Sequence, residues 1–323
     1  MKFKAIGRSG LVAAAVGVLF ATAPVNLVNA AEWKPSGPIT VLIGFSAGGG
    51  TDTQARLIAA ELEKRKGWKI IPQNMPGKAG GIMARKLKNM PADGLSIGMA
   101  VTESFGYAML ASKKAGYKAS DFTYIATTTS SQMGIVASTS KGWKTFKDMI
   151  AEAKKGKVFK FAGMSPKHAD INYLIEQKYG VKFNTVILRG GKKVMNAITA
   201  GDVDLGYGAG IQAKAVRAGQ MVNLASGLGE RLKVSPNAPT LMEMGIPHDI
   251  GAKFIFVGPA GMPANIRKSL ADAIGGVIND KNTKASKFVT SRYGGPDVLT
   301  GKKLDEFIQF NIKDSKTLMK VMK

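Results

Sequence analysis

Cysteine is absent from the 323-residue sequence, and histidine occurs only twice. The lack of cysteine excludes disulfides, iron–sulfur clusters, thiolate metal sites and cysteine nucleophiles. His168 and His248 stand far apart and neither has metal-ligand spacing around it, so we predict no metal site and no cofactor. The fold must therefore be stabilised by core packing, for which a chain of this length is sufficient.

Acidic residues are also scarce, because 22 Asp and Glu stand against 46 Lys and Arg, for a formal net charge of +24. Such a charge attracts anions of any kind. The lysines are spread along the chain, however, and no RNP, zinc-finger or helix-turn-helix pattern accompanies them. We therefore favour small acidic solutes as partners and predict no binding of nucleic acid.

Long apolar runs are missing beyond the N-terminus, so no membrane-spanning helix is predicted. The first 30 residues have the three parts of a secretory signal peptide. Lys2, Lys4 and Arg8 give a positive start, 11–23 is apolar, and small residues lead to a cleavage point near Ala30. The apolar part is shorter than the ~20 residues that a spanning helix needs, so we predict that the segment is removed after export.

A strand, a glycine turn and a helix are predicted within residues 39–66. Residues 39–45 are apolar and β-branched, as in a buried strand. The glycines that allow a sharp turn are Gly48, Gly49 and Gly50. Thr51 or, in preference, Asp52 can then cap the helix. Several amide N–H groups would point to one place at the positive end of the helix dipole, which suits a carboxylate.

This glycine loop differs from the loops of nucleotide-binding proteins. No Gly-Lys-Ser/Thr follows it, so the P-loop lysine is missing, and its spacing is not that of a dinucleotide-binding turn. A tight turn that binds nothing is the alternative, since glycine is common in such turns.

Strands and helices alternate along the rest of the chain, which predicts an α/β fold with mostly parallel sheets covered by helices. A crossover to a second series is predicted at the polar residues 128–132, and a return strand at 254–259. We therefore expect one lobe of residues 31–130 and 254–323 and a second lobe of residues 131–253. In detail, 72–81 and 163–168 are predicted as loops and 105–113 as a helix.

Ligands of such sheets bind beyond the carboxyl ends of the strands, so the candidate site residues are those that follow predicted strands. These residues are Phe45, Ser46, Gly48, Gly49, Gly50, Thr51, Asp52, Thr102, Glu103, Ser104, Ser165, Lys167, His168, Arg189, Gly190 and Tyr207.

Some of these candidates have competing interpretations. Lys167, His168 and Arg189 are cationic partners for a carboxylate, although Arg189 can instead pair with Asp202 or Asp204. Glu103 would repel an anion unless it binds an amino or hydroxyl group. The aromatic rings of Phe45 and Tyr207 either stack on a ligand or fill a core.

Several motifs together carry a resemblance to a known family, in matching order over the mature chain. They are the glycine loop with its strand (39–52), Asn-Met-Pro-Gly-Lys-Ala-Gly-Gly (74–81), Pro-Ala-Asp-Gly (91–94), Gly-Asp-Val-Asp (201–204), Ala-Pro-Thr-Leu-Met-Glu-Met-Gly (238–245) and Gly-Pro-Ala-Gly-Met-Pro (258–263). The chain resembles the substrate-binding proteins of the tripartite tricarboxylate transporters, also called the Bug or TctC-like family.

The resemblance implies a type II periplasmic binding protein with two α/β lobes, a hinge of two crossovers and a ligand in the cleft. It also implies a periplasmic monomer that binds a small organic carboxylate and delivers it to membrane permease subunits, with no enzymatic activity. The second lobe departs from the family pattern at 163–168, where Ile171 stands near the position of a usual histidine, and at 206–208, so an atypical ligand is possible.

Two other classes stay open at this point. The same binding fold can report to a membrane sensor instead of a permease. A secreted hydrolase can use the glycine loop as an oxyanion hole, with Ser46 or Ser104 as nucleophile. The hydrolase is disfavoured because no Gly-x-Ser-x-Gly motif is present and no histidine is placed near either serine by the sequence.

Overall fold

The computed structural model describes Met1 and residues 33–322. The predicted signal peptide and its cleavage point near Ala30 therefore lie outside the described residues, apart from Met1. The strands are β1 (Ile39–Ile43), β2 (Ile70–Asn74), β3 (Ser96–Val101), β4 (Phe122–Ser130), β5 (Met133–Ser138), β6 (Phe159–Gly163), β7 (Phe183–Ile187), β8 (Leu205–Ala209), β9 (Met221–Ser226) and β10 (Lys253–Pro259). The α-helices are α1 (Gly50–Lys66), α2 (Gly81–Leu87), α3 (Tyr107–Leu110), α4 (Phe146–Ala153), α5 (Pro166–Tyr179), α6 (Gly191–Ala200), α7 (Ala213–Arg217), α8 (Ala264–Asn279), α9 (Lys284–Tyr293) and α10 (Gly301–Val321). Short 3-10 turns lie at Lys78–Gly80, Thr102–Phe105, Ala119–Asp121 and Thr139–Lys141.

The strands form two sheets of five strands each. In the first sheet the order is β2-β1-β3-β10-β4, with β1 parallel to β2 and β3, and β10 antiparallel to both of its neighbours. In the second sheet the order is β7-β6-β8-β5-β9, with β6 parallel to β7 and β8, and β5 antiparallel to both of its neighbours. The predicted α/β class with two parallel-rich lobes is therefore confirmed.

Helices cover both faces of each sheet because strand side chains alternate between the faces. In β1, Val41 and Ile43 pack with α1, α8 and α9, whereas Leu42 packs on the other face with α2 and α10. The helical face predicted on α1 is buried as expected: Ala55, Ile58, Ala59 and Leu62. In the second lobe, α4 and α5 cover one face of the sheet and α6 covers the other.

Two helices of the first lobe also reach the second lobe. Leu318, near the end of α10, and Tyr107 of α3 are both buried in the core of the second sheet. The Tyr107 hydroxyl donates a hydrogen bond to Asp170 of α5. No helix within residues 33–322 has both the length and the hydropathy needed to cross a bilayer.

Several local predictions were wrong. Pro72 was predicted to lie in a loop, but it belongs to strand β2. Strand β2 is at the edge of its sheet, and edge strands tolerate proline. The helix predicted at 105–113 is limited to Tyr107–Leu110, after a 3-10 turn. Strand β9 and helix α9 were not predicted.

Candidate functional site

A cavity of about 70 Å³ lies between the two sheets, and we call it the cleft cavity. The predicted site residues in its walls are Phe45, Ser46, Gly49, Gly50, Thr51, Glu103, Ser165, His168, Arg189 and Gly190. A wider cavity of about 400 Å³ adjoins it and shares Phe45, Ser165, Arg189 and Gly190 with it. The strand-end loops of both lobes therefore meet at one place, as the sequence predicted.

The glycine loop presents fewer bare amides than its sequence suggests. The Gly48 amide donates to Asp52 Oδ2 at 2.8 Å, and the Gly49 amide donates to the Ser46 carbonyl at 3.2 Å. Helix α1 begins at Gly50, so the amides of Gly50 and Thr51 lack intrahelical partners. Gly50 and Thr51 both line the cleft cavity, and they offer the donors that the prediction assigned to the whole loop.

Asp52 holds the loop in shape rather than facing the cleft cavity. Neither it nor Thr51 is the helix cap that was predicted, because Gly49 takes that position and no side chain caps it. The Asp52 carboxylate instead accepts hydrogen bonds from Arg56 and Asn74, both at 2.8 Å, as well as from Gly48. Burial favours a raised pKa, but the hydrogen bonds prevail and lower the pKa of Asp52 below its usual value.

Three helices begin at the walls of the cleft cavity. They are α1 with Gly50 and Thr51, α5 with Ser165 and His168, and α6 with Gly190 and Gly191. Helix α5 starts at Pro166, directly after Ser165, because proline suits the first helical position. Each helix start carries a partial positive charge, and those of α1 and α6 also offer free N–H groups, so the three together suit an anion.

Two cationic side chains reinforce that preference. Arg189, which follows β7, lines the cavity and forms no ion pair within the described residues. The alternative in which it pairs with Asp204 is not seen, because that carboxylate binds Lys141 and the Lys160 amide. Lys192, which the sequence analysis missed, extends from α6 to the glycine loop of the other lobe. Its Nζ lies 2.5 Å from the point that a Cβ on Gly48 would occupy.

Lys167 and His168 are adjacent in α5 but face different places. The Lys167 Nζ donates to the Asp249 carbonyl at 2.8 Å, and the side chain lines a separate cavity of about 490 Å³. His168 lines the cleft cavity and is buried, with Nδ1 at 2.7 Å from Ser165 Oγ. Successive helical residues point about 100° apart, which explains why only one of the two reaches the cleft.

Glu103 is a buried acid in the wall of the cleft cavity. Burial raises the pKa of its carboxyl, opposed by a hydrogen bond from Ser165 and by the charge of Lys167. Burial also lowers the pKa of His168 to about 3, so its imidazole is neutral. Glu103 Oε1 and His168 Nε2 have no hydrogen-bond partner among the described residues.

The remaining candidates form structural contacts. The Thr102 hydroxyl accepts from the Lys253 amide at 3.2 Å, and the Ser104 hydroxyl donates to the Ala79 carbonyl at 2.7 Å. The Tyr207 hydroxyl donates to Asn172 at 2.8 Å, and its ring is fully buried in the core of the second sheet. Tyr207 therefore matches the interpretation in which its ring fills a core.

The two serines considered as nucleophiles are not hydrogen-bonded to a histidine. The Ser104 hydroxyl is bound to Ala79, and the Ser46 hydroxyl donates to the Arg189 carbonyl across the cleft at 3.4 Å. A serine hydrolase needs a base within reach of the nucleophile, so this geometry gives the hydrolase alternative no support.

Comparisons with known proteins agree with the fold described above. A family model described as "Tripartite tricarboxylate transporter family receptor" matches residues 54–323. A protein from Cupriavidus necator described as "UPF0065 protein in gbd 5'region" is 27% identical over 285 residues, covering 87% of this chain and 86% of the relative. Two solved structures share the fold. The periplasmic binding protein BugD superposes with a TM-score of 0.78 at 22% identity, covering 89% of this chain and 98% of BugD. MatC from Rhodopseudomonas palustris, solved with bound malate, gives a TM-score of 0.77 at 23% identity, covering 88% of this chain and 99% of MatC.

Proposed function

The chain belongs to the tripartite tricarboxylate transporter receptor family, and we propose that it captures a small organic carboxylate in the cleft cavity and delivers it to membrane permease subunits. The convergence of three helix N-termini on that cavity is the observation that carries this proposal. Arg189 and Lys192 add positive charge to the same place. The malate bound to MatC, a protein of the same fold, is consistent with an acid as the ligand.

In this proposal the amides of Gly50 and Thr51 hold one carboxylate oxygen or a water that bridges to it, and Arg189 offers a bidentate contact. Lys192 completes the cation set from the second lobe. Phe45, Ser46, Ser165 and Gly190 shape the walls, whereas Asp52, Thr102, Ser104, Lys167 and Tyr207 act only through the elements that they stabilise.

Binding is proposed to favour closure of the lobes, with residues 31–130 and 254–323 in one lobe and 131–253 in the other. Contacts from both lobes exist together only when the cleft is closed, so a ligand shifts the hinge equilibrium towards that state. The closed shape is what a permease would recognise. We further propose a periplasmic monomer, exported with a signal peptide that is cleaved near Ala30.

A membrane sensor is the alternative partner, because the same closure can be read by a receptor instead of a permease. The choice between them depends on a second chain and changes nothing in the site. Among the residues that the structure describes, neither Ser46 nor Ser104 is hydrogen-bonded to a base, so the proposal is a binding protein and not an enzyme.

A thermal-shift screen tests the proposal, with mono-, di- and tricarboxylates and aromatic acids against the corresponding uncharged amides. An acid at 100 times its dissociation constant should stabilise the protein by about 2.7 kcal/mol, with a shift that grows with ligand concentration. The amides should have little effect, because they carry no charge for the helix starts and cations to bind. Absence of a concentration-dependent shift with every acid would contradict the proposal.

A further inference from the structure

Glu103 is an acidic group in a cavity that otherwise attracts anions. It lies in the 3-10 turn after β3, and its side chain lines the cleft cavity with the residue only 8% exposed. Its Oε1 has no hydrogen-bond partner among the described residues. A buried carboxylate oxygen without a donor is costly, and because Glu103 lines a binding cavity, its unpaired oxygen indicates a donor on the ligand.

The neighbouring histidine has a second free acceptor. Ser165 has a single hydroxyl proton, and its hydrogen bond to Glu103 lowers the pKa of that carboxyl, as expected when the hydroxyl donates to it. We assign Ser165 Oγ as the acceptor from Nδ1–H of the neutral His168 ring, 2.7 Å away, because this tautomer leaves the hydroxyl proton for Glu103. The other ring nitrogen, Nε2, therefore carries a lone pair, and it too has no partner among the described residues.

Resting on the proposed function, we propose that the natural ligand is a short amino-carboxylate zwitterion whose ammonium group binds Glu103 Oε1 and His168 Nε2. An ammonium carries three donors and one positive charge, which matches two acceptors and one acid. The ligand carboxylate then binds at the helix starts and cations of the same cavity. Met133, Met164 and Ile211 in the wall suit a short aliphatic skeleton between the two groups.

A dicarboxylate fits this arrangement less well. Its second carboxylate would either lie beside ionised Glu103 and be repelled or require Glu103 to take up a proton. A monocarboxylate without an amino group would leave both acceptors without a donor. The amino group is thus the feature by which the cavity distinguishes acids of similar size.

Titration calorimetry on the mature wild-type protein at pH 7.5 tests the inference with probes that share a three-carbon chain attached to a carboxylate: butanoate, 2-aminobutanoate, 4-aminobutanoate and glutarate. At least one amino acid of the set should bind about tenfold or more tightly than butanoate and glutarate, as expected for a charged hydrogen bond in a buried site. Equal or tighter binding of butanoate or glutarate would overturn the inference and leave the proposed function intact. Binding of no acid at all would overturn both.

Two charge-matched variants identify the residue responsible. Glu103→Gln keeps the shape but removes the negative charge, so the preference for the amino acid should fall by about tenfold while butanoate binds as well as before or better. Glu230→Gln removes an exposed carboxylate outside the cleft cavity and should leave the preference unchanged. If Glu103→Gln still prefers the amino acid over butanoate as strongly as the wild type does, the assignment of Glu103 is refuted. If that variant folds poorly, the measurements on the wild type still test the inference.

Discussion

We predict that position 50 requires glycine because a tyrosine side chain packs against it, and not because a ligand needs the space. A Cβ placed on Gly50 would lie 1.9 Å from Tyr293 Oη, and the next atom of that ring, Cζ, would be 3.2 Å away. Tyr293 is buried at the end of α9 and packs against Phe254 of β10. The methyl group added in Gly50→Ala must therefore displace the buried Tyr293 side chain.

The size of the effect follows from this geometry. Overpacking a dense core costs about 1–3 kcal/mol, which corresponds to a fall in melting temperature of roughly 2–10 °C for a chain of this size. Tyr293→Phe removes the clashing oxygen. Because that oxygen makes no hydrogen bond of standard geometry within the described residues, the single variant Tyr293→Phe should lose little stability. In Gly50→Ala/Tyr293→Phe the nearest ring atom would be the one at 3.2 Å, and most of the lost stability should return.

Urea unfolding of the wild type, both single variants and the double variant gives the coupling energy, expected to be about 0.5–3 kcal/mol in favour of the pair. Gly49→Ala is the matched control. The φ of Gly49, −78°, suits any residue, and a Cβ there would meet only the Ser46 carbonyl, at 3.1 Å. Gly49→Ala should therefore lower the free energy of unfolding by less than Gly50→Ala does. Additive losses in the double variant, or a Gly50→Ala variant as stable as wild type, would refute the reasoning.

Two further predictions concern charge. Lys192→Met should weaken binding of the tightest acid by about three- to thirtyfold, which is the range expected when an exposed side chain loses a charged hydrogen bond. The control Lys193→Met should leave binding unchanged. Equal effects of the two variants in calorimetry would contradict the role of Lys192. Since burial lowers the pKa of His168 to about 3, the unfolded chain takes up a proton there that the folded protein excludes, and stability is lost as the pH falls from 6.5 towards 3. Urea melts across that range should show a shallower loss for His168→Gln than for the wild type or His248→Gln, and parallel curves would contradict the assignment.

The order of strands and helices was largely predictable from the sequence, because apolar runs, glycine turns and helix periodicity are local signals. The meeting of the 45–52 loop with Glu103 was also predictable, since carboxyl ends of parallel strands share one edge of a sheet. Strand β2 extends into a segment that was predicted as a loop, because the meaning of a proline depends on whether its strand lies at the edge of a sheet. Edge position is a property of the whole sheet.

The site residues that sequence reasoning misassigned depend on tertiary geometry in the same way. Lys167 and His168 are neighbours, and only the helix start at Pro166 decides which of them turns towards the cleft. Lys192 stood second in its helix after a pair of glycines, but its contact with Gly48 exists only because the two lobes face each other. Tyr293 is more than 200 residues from Gly50 and belongs to a helix whose apolar pattern was too weak to predict.

Two of the three adjacent glycines are required by the fold itself, since Gly48 has a φ of 71°, which side chains rarely adopt, and Gly50 leaves room for the Tyr293 side chain. Gly49, the residue before α1, has a φ of −78° that any residue can adopt. A glycine run is thus weak evidence for a ligand when read alone. The stronger evidence is that helices from both lobes start at one cavity, because packing alone does not require unpaired N–H groups to converge across a cleft.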